Sequence, residues 1–207
     1  LNSIADALID DKKSVIPVSG VVLMMGALTQ TSVQLFSTRP GLYHVLNEKY
    51  AEKFCTYLGK EVILSKTPPS AFSLEVNLKP FLKEFVTEEY YKAHILPNVE
   101  KSNLRAPELS FDMSTEIYSG LDPRKVNLLH TLVSSKILNQ TFASFKSSKE
   151  IVRNASLNSI IHLLSSLSPD DTSENDLLKL VDETFKNIKS NLNAEYKLFA
   201  AKVLQVI

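Results

Sequence analysis

The sequence has 207 residues with 23 basic and 23 acidic side chains, so its formal charge is zero and charge alone announces neither a nucleic-acid nor a membrane-surface partner. A hydrophobic share of 44% supplies a sizeable core, as in an ordinary cytosolic globular protein, and the single cysteine, Cys55, excludes an internal disulfide framework and points to a reducing compartment. The sequons at Asn139-Gln-Thr141 and Asn154-Ala-Ser156 point the other way, but such triplets arise by chance in a Ser/Asn-rich chain.

Glycine is scarce and apolar residues recur three or four apart, while strict alternation is nearly absent; the pattern predicts an all-α fold. In chain order, helices are expected over residues 4–9, 18–36, 42–65, 78–85, 88–103, 108–119, 124–145, 150–167, 174–190 and 194–207. The uncharged run Ser14 to Thr38 is the one candidate membrane segment; its strongly apolar part, "VIPVSGVVLMMGAL", is shorter than the roughly 18 to 20 residues a span needs. A buried helix is the expected reading there. "KTPPS", from Lys66 to Ser70, marks the clearest break. Thr87 and the pair Asp122-Pro123 are expected helix starts, each offering an acceptor to unpaired first-turn amides. The first residue is Leu1, and "AEYKLFAAKVLQVI" stops inside an apolar helix pattern, so a covering element beyond Ile207 is expected.

The chain repeats itself. A shift of 44 places Val152, Arg153, Ser156, Ile160 and Leu163 on Tyr196, Lys197, Ala200, Leu204 and Ile207, apolar on apolar, cation on cation and small on small. A shift of 43 places Leu138, Phe142 and Phe145 on Val181, Phe185 and Ile188. A backward shift of 43 takes Leu138 and Phe142 to Ile95 and Val99, and takes Val152, Ser156, Ile160 and Leu164 to Leu109, Met113, Ile117 and Leu121. This period matches HEAT and armadillo units. The expected architecture is a HEAT-like α-solenoid, a superhelical array of antiparallel helix pairs, with approximate units 1–37, 42–86, 87–121, 122–168 and 173–207 in one continuous segment. An irregular helical domain is the bland alternative. In the second helix of such a unit a small residue permits close packing, and the cation, Arg153 or Lys197, extends over the turn to carbonyls or carboxylates of the neighbouring repeat.

The stretch "LKPFLKEFVTEEYYKAHILPNVEKSNLRAPELSFDMSTEIYSGLD", from Leu78 to Asp122, resembles the N-terminal HEAT region of the general control non-derepressible coactivator family, and the Ser/Asn/Lys-rich texture suggests a fungal member. The resemblance implies a cytoplasmic, non-catalytic scaffold that associates with ribosomes or polysomes in amino-acid starvation. It also implies that the full-length protein promotes activation of the protein kinase phosphorylating initiation factor two alpha. The family's sections for an ATPase-type partner and for the kinase lie elsewhere in its chain, so the resemblance transfers no functional residue to this one.

The residues offer little chemistry. His44, His94, His130 and His162 lie far apart without metal-ligand companions, no glycine-rich phosphate loop or nucleophile elbow is present, and Cys55 faces no evident base. Neither a catalytic nor a metal nor a cofactor site is expected, and no small-molecule substrate. The turns are more informative. Lys146 and Lys189 are 43 apart, and Lys149, Lys101 and Arg105 fall in or near equivalent turns. Stacked repeats would align these cations along one edge at roughly 10 Å per helix layer, a row suited to ribosomal RNA phosphates. Glu100, Glu108, Glu150, Asp182 and Glu183 are close enough to offset the row, which would then be a solvated edge. A different class of function, a transport or adaptor segment holding peptides or helices in a concave groove, predicts acidic or Asn ladders on the inner helices instead.

Overall fold

Residues 17–167 and 173–207 are described in the computed structural model; among them the chain is helical throughout and contains no strand. The helix expected over residues 4–9 lies outside the described residues. The chain divides into two compact units, one running to Val99 and including Gly120–Asp122, the other comprising Glu100–Ser119 and Pro123–Ile207.

The first unit opens with α1, Val18–Thr38. Its uncharged sequence buries one face, Val21, Val22, Met25, Leu28, Thr29 and Ser32, and leaves Leu23, Val33 and Phe36 exposed. By length and composition α1 could cross a membrane; its inner face packs on α2 and α3. It ends at Arg39 because the residue before Pro40 is pushed out of the helical region, and Pro40, whose missing N–H is no loss in a first turn, starts α2, Pro40–Tyr57. The helix continues through a π-helical turn, Leu58–Val62.

Helix α3 spans residues 71–85, starting seven residues earlier than the spacing predicts. The Ser70 hydroxyl caps it, accepting from the Ser73 amide at 3.3 Å. A π-helical turn at Leu74–Leu78 inserts an extra residue and breaks the apolar period, which hid the first turns. Helix α4, residues 88–105, is capped by Thr87, whose hydroxyl accepts from the Tyr90 amide at 3.3 Å as expected, and carries its own π-helical turn at Tyr91–Ile95. These two turns have a common cause. Pro80 and Pro97 each follow a π-turn by two residues, and a widened turn takes up the missing N–H and the ring's clash with the carbonyl four residues back.

Two glycines stand hard against residues of the π-turns. A β-carbon on Gly59 would stand 1.9 Å from the His94 carbonyl oxygen, and one on Gly26 would stand 2.2 Å from Asn77 Oδ1. Around them Cys55, Leu58, Val62, Leu78, Phe81, Leu82, Phe85 and Ile95 form the core, with the Phe54 and Phe81 rings edge-on at 5.9 Å.

The second unit holds α5 (Pro107–Gly120, its last residue aside), α6 (Leu128–Ser134), α7 (Ile137–Ser144), α8 (Glu150–Ser165), α9 (Glu174–Ser190) and α10 (Ala194–Leu204). Two expectations are corrected here. The single helix expected over 124–145 is two helices, and its start is not Asp122-Pro123 but Asn127, whose side chain accepts from the His130 amide at 2.9 Å. The break falls at extended Ser135, where side chains replace helical bonds: locally Ser135 Oγ accepts from the Ile137 amide, and from the end of α4 Glu100 accepts from the Lys136 amide at 3.0 Å.

The break falls ahead of α7, so the α7–α8 and α9–α10 pairs can be laid over one another at a shift of 43 to 44. Ile137 and Thr141 fall on Leu180 and Thr184, all four buried, and each threonine hydroxyl donates to the carbonyl four residues back, at 2.9 and 2.7 Å. Val152, Ser156 and Ile160 are buried; so are Tyr196 and Ala200, while Leu204 is half-buried. The correspondence has limits. Phe142 is buried against Phe145, which is covered by Tyr196 and Phe199 of α10, whereas Phe185 is 47% exposed; Val152 is buried whereas Leu109 is 41% exposed.

Candidate functional site

All five cations singled out by spacing lie in the second unit, and all are exposed. Lys101 and Arg105 stand on the last turns of α4, Lys146 and Lys149 on the turn between α7 and α8, and Lys189 on the last turn of α9. Among the described residues none of the five forms an ion pair, whereas Lys79, Lys92, Lys179 and Lys186 each hold a carboxylate. Of the acids expected to offset the row, Glu183 pairs with Lys186 and Glu100 accepts from a backbone amide, while Asp182 borders the same hollow as Lys189 and Glu150 adjoins Lys149. Lys136 belongs with the five. It is exposed on the turn between α6 and α7, and sequence reasoning passed over it because that turn was hidden inside an unbroken helix.

The cations are not equivalent. Lys146 Nζ sits 5.5 Å from the centroid of the buried Tyr196 ring, and Lys189 borders an open hollow with Asp182, Phe185 and Lys186. Lys146 and Arg153 line one cleft between the α7–α8 turn and the α9–α10 loop. Arg153 reaches back over its own turn, donating from Nη1 to the carbonyls of Ser147 and Ser148, and forward to Glu195 of the next hairpin. Lys197, its repeat counterpart, is half-buried and makes no ion pair among the described residues.

Other titratable groups have structural surroundings. Burial, reinforced by the Glu52 charge, pushes the Cys55 thiol up to about 12, which removes it as a nucleophile near neutral pH. His94 joins α4 to α2 through Thr56 and Glu52, and His130 joins α6 to Asp176 of α9. Among the described residues no three His, Cys, Asp or Glu side chains are grouped to hold a metal. Both sequon hydroxyls, Thr141 and Ser156, are buried in helices and bonded to carbonyls. On α5, Glu108, Asp112 and Glu116 form an acidic line; burial and then the two flanking glutamates raise the Asp112 carboxyl above its ordinary range.

The profile of the family described as "Stalled ribosome sensor GCN1 N-terminal" matches residues 51–198, most of the chain. The chain belongs to this family. The match to the GCN1 N-terminal family begins well before Leu78, so the first unit shares in it from the middle of α2 onward. Within the family, the chain is 58% identical over 185 residues to the protein named "eIF-2-alpha kinase activator GCN1" of Saccharomyces cerevisiae (strain ATCC 204508 / S288c). That similarity covers 89% of this chain and 7% of the yeast protein, so the chain spans a small fraction of its relative. No solved structure matches.

Proposed function

We propose that this chain is a non-catalytic scaffold segment of a cytoplasmic, ribosome-binding regulator of translation, which promotes activation of the kinase acting on initiation factor two alpha during amino-acid starvation. Its 43- to 44-residue helix pairs are HEAT-type repeats that present cationic turns to ribosomal RNA, and the full-length protein brings the kinase and an ATPase-type partner to the ribosome. The reading is carried by one observation: in a member of a family described as a stalled ribosome sensor, the turn cations Lys101, Arg105, Lys146, Lys149 and Lys189 are exposed and free of carboxylate partners among the described residues. Such cations release counterions from an RNA backbone at little cost in broken ion pairs.

Reversing Lys146, Lys149 and Lys189 to glutamate in the full-length protein is expected to lower its co-sedimentation with ribosomes at moderate salt while leaving helicity unchanged. Unaltered pelleting removes these turns from the contact surface. The acidic line of α5 favours a second reading, an adaptor surface for a basic peptide or helix, since like charges four residues apart are repulsive until a cation joins them. Loss of pelleting on neutralising Glu108, Asp112 and Glu116, with no loss on reversing the lysines, decides for that surface.

A further inference from the structure

The α7–α8 turn and the α9–α10 loop enclose a cleft of about 470 Å³ whose walls include Lys146, Arg153, Asn193, Glu195 and Tyr196. Arg153 is incompletely used there. Its Nη1 donates to the Ser147 and Ser148 carbonyls at 2.8 and 3.3 Å, and Nη2 donates to one oxygen of Glu195 at 2.7 Å. Its Nε–H is buried and, among the described residues, has no acceptor. An oxyanion with two adjacent oxygens, such as the non-bridging pair of a phosphodiester, can take Nε and Nη2 side by side; Glu195 takes one of the two. A buried donor without a partner is destabilising, and in a native fold it calls for a physical reason.

The two partners are held unequally. The Arg153 side chain is 15% exposed and bonded to carbonyls, whereas Glu195 is 51% exposed and has solvent on its outer side. With Glu195 in place, its charge opposes those of Lys146 and Arg153; with Glu195 in solvent, the lining is cationic, and Lys149 and Glu150 at the start of α8 add nothing net. Tyr196 offers no stacking face. It is buried, its hydroxyl donates to Asn187 Oδ1, and Lys146 lies over its ring. The ligand read by this geometry is an oxyanion rather than a base.

We propose that the cleft is a phosphate site held closed by Glu195: a phosphodiester of ribosomal RNA displaces that carboxylate, binds Arg153 side-on through Nε and Nη2, and is covered by the Lys146 ammonium. This rests on the ribosome-binding reading and adds to it one anchored contact among exposed lysines. Contacts of this kind position a protein on a backbone without reading sequence.

The test is a salt titration of ribosome co-sedimentation with the full-length protein, comparing wild type, Glu195→Gln and Lys146→Ala. Gln keeps an acceptor for Arg153 but is neutral and more easily displaced, so Glu195→Gln is expected to tighten binding on the order of tenfold near 0.15 M salt, and Lys146→Ala to weaken it and flatten the log–log salt slope by about 0.7. If Glu195 serves only to tie α8 to α10, its replacement weakens pelleting or leaves it unchanged, and either result overturns the phosphate site while the ribosome-binding reading stands. Failure of the wild type to pellet overturns that reading and the site with it. Competition of the Glu195→Gln gain by a phosphoserine peptide, but not by oligouridylate, overturns the RNA assignment.

Discussion

Arg153 and Lys197 show how much one position can change between repeats. Both are the cation after the buried residue that opens the second helix, yet Arg153 ties two carbonyls and Glu195 together while Lys197 makes no ion pair among the described residues. Replacing Arg153 by Met, which keeps much of the aliphatic stem, is expected to cost about 0.5–1.5 kcal/mol through the hydrogen bonds it removes. The same change at Lys197 should fall within about 0.5 kcal/mol of wild type, as surface changes do. Urea midpoints of the two variants check the contrast. Asp176 gives a second test at this scale. Burial works to raise its carboxyl, but hydrogen bonds and charges from His130 and Lys179 outweigh burial and hold it below the ordinary carboxylate range. A depressed folded value means that this interaction stabilises the fold above about pH 4, the unfolded value, and is lost as acid protonates the folded group. Asp176→Asn should therefore lower stability at neutral pH and flatten its decline below about pH 4; an unchanged acid decline, followed by circular dichroism, would assign that decline to other carboxylates.

At the scale of elements, the period of the apolar residues and the cap at Thr87 are local, and local signals survive in a single sequence. What escaped were features set by neighbouring helices. The first turns of α3 were hidden because the turn before Pro80 slips the apolar period, and α6 and α7 were fused because Ser135 carries no helix-stopping signature until Glu100 binds the Lys136 amide. Both prolines were visible, and a proline inside an apolar helical pattern is the sign that would have located the π-turns. Gly59 likewise gives nothing away in sequence, yet it admits the backbone of α4 to α2. Gly59→Ala must push against the His94 carbonyl, which cannot rotate away, and is expected to cost about 1–3 kcal/mol or more as the two helices part. Gly41→Ala is the matched control. Among the described residues nothing stands within 4 Å of its β-carbon position, it lies in the first turn of α2, and the change is expected to stabilise by about 0.4–1 kcal/mol. Equal melting temperatures for the two variants would show that the close approach relaxes without strain.

For the whole molecule, equal numbers of acidic and basic residues leave no net field to steer the chain to RNA, so any ribosome affinity must come from how charge is placed. The candidate row was legible in sequence as a 43-residue spacing, whereas its freedom from carboxylates, and the one anchored guanidinium beside it, depend on which acid each cation meets in the fold. This placement has a measurable consequence that net charge does not predict. If each turn lysine neutralises one phosphate of single-stranded or irregular RNA, each contributes about 0.7 to the slope of log affinity against log salt. Replacing Lys146, Lys149 and Lys189 with alanine in the full-length protein should then flatten the slope by about 2, and since raising salt fourfold shifts log salt by about 0.6, the variant loses about fifteenfold less affinity than wild type over that range. Alanine rather than glutamate matters for this measurement, because reversal adds repulsion and would exaggerate the slope change. An offset in affinity with parallel salt slopes would mean that the lysines act through the fold and not through phosphate contact.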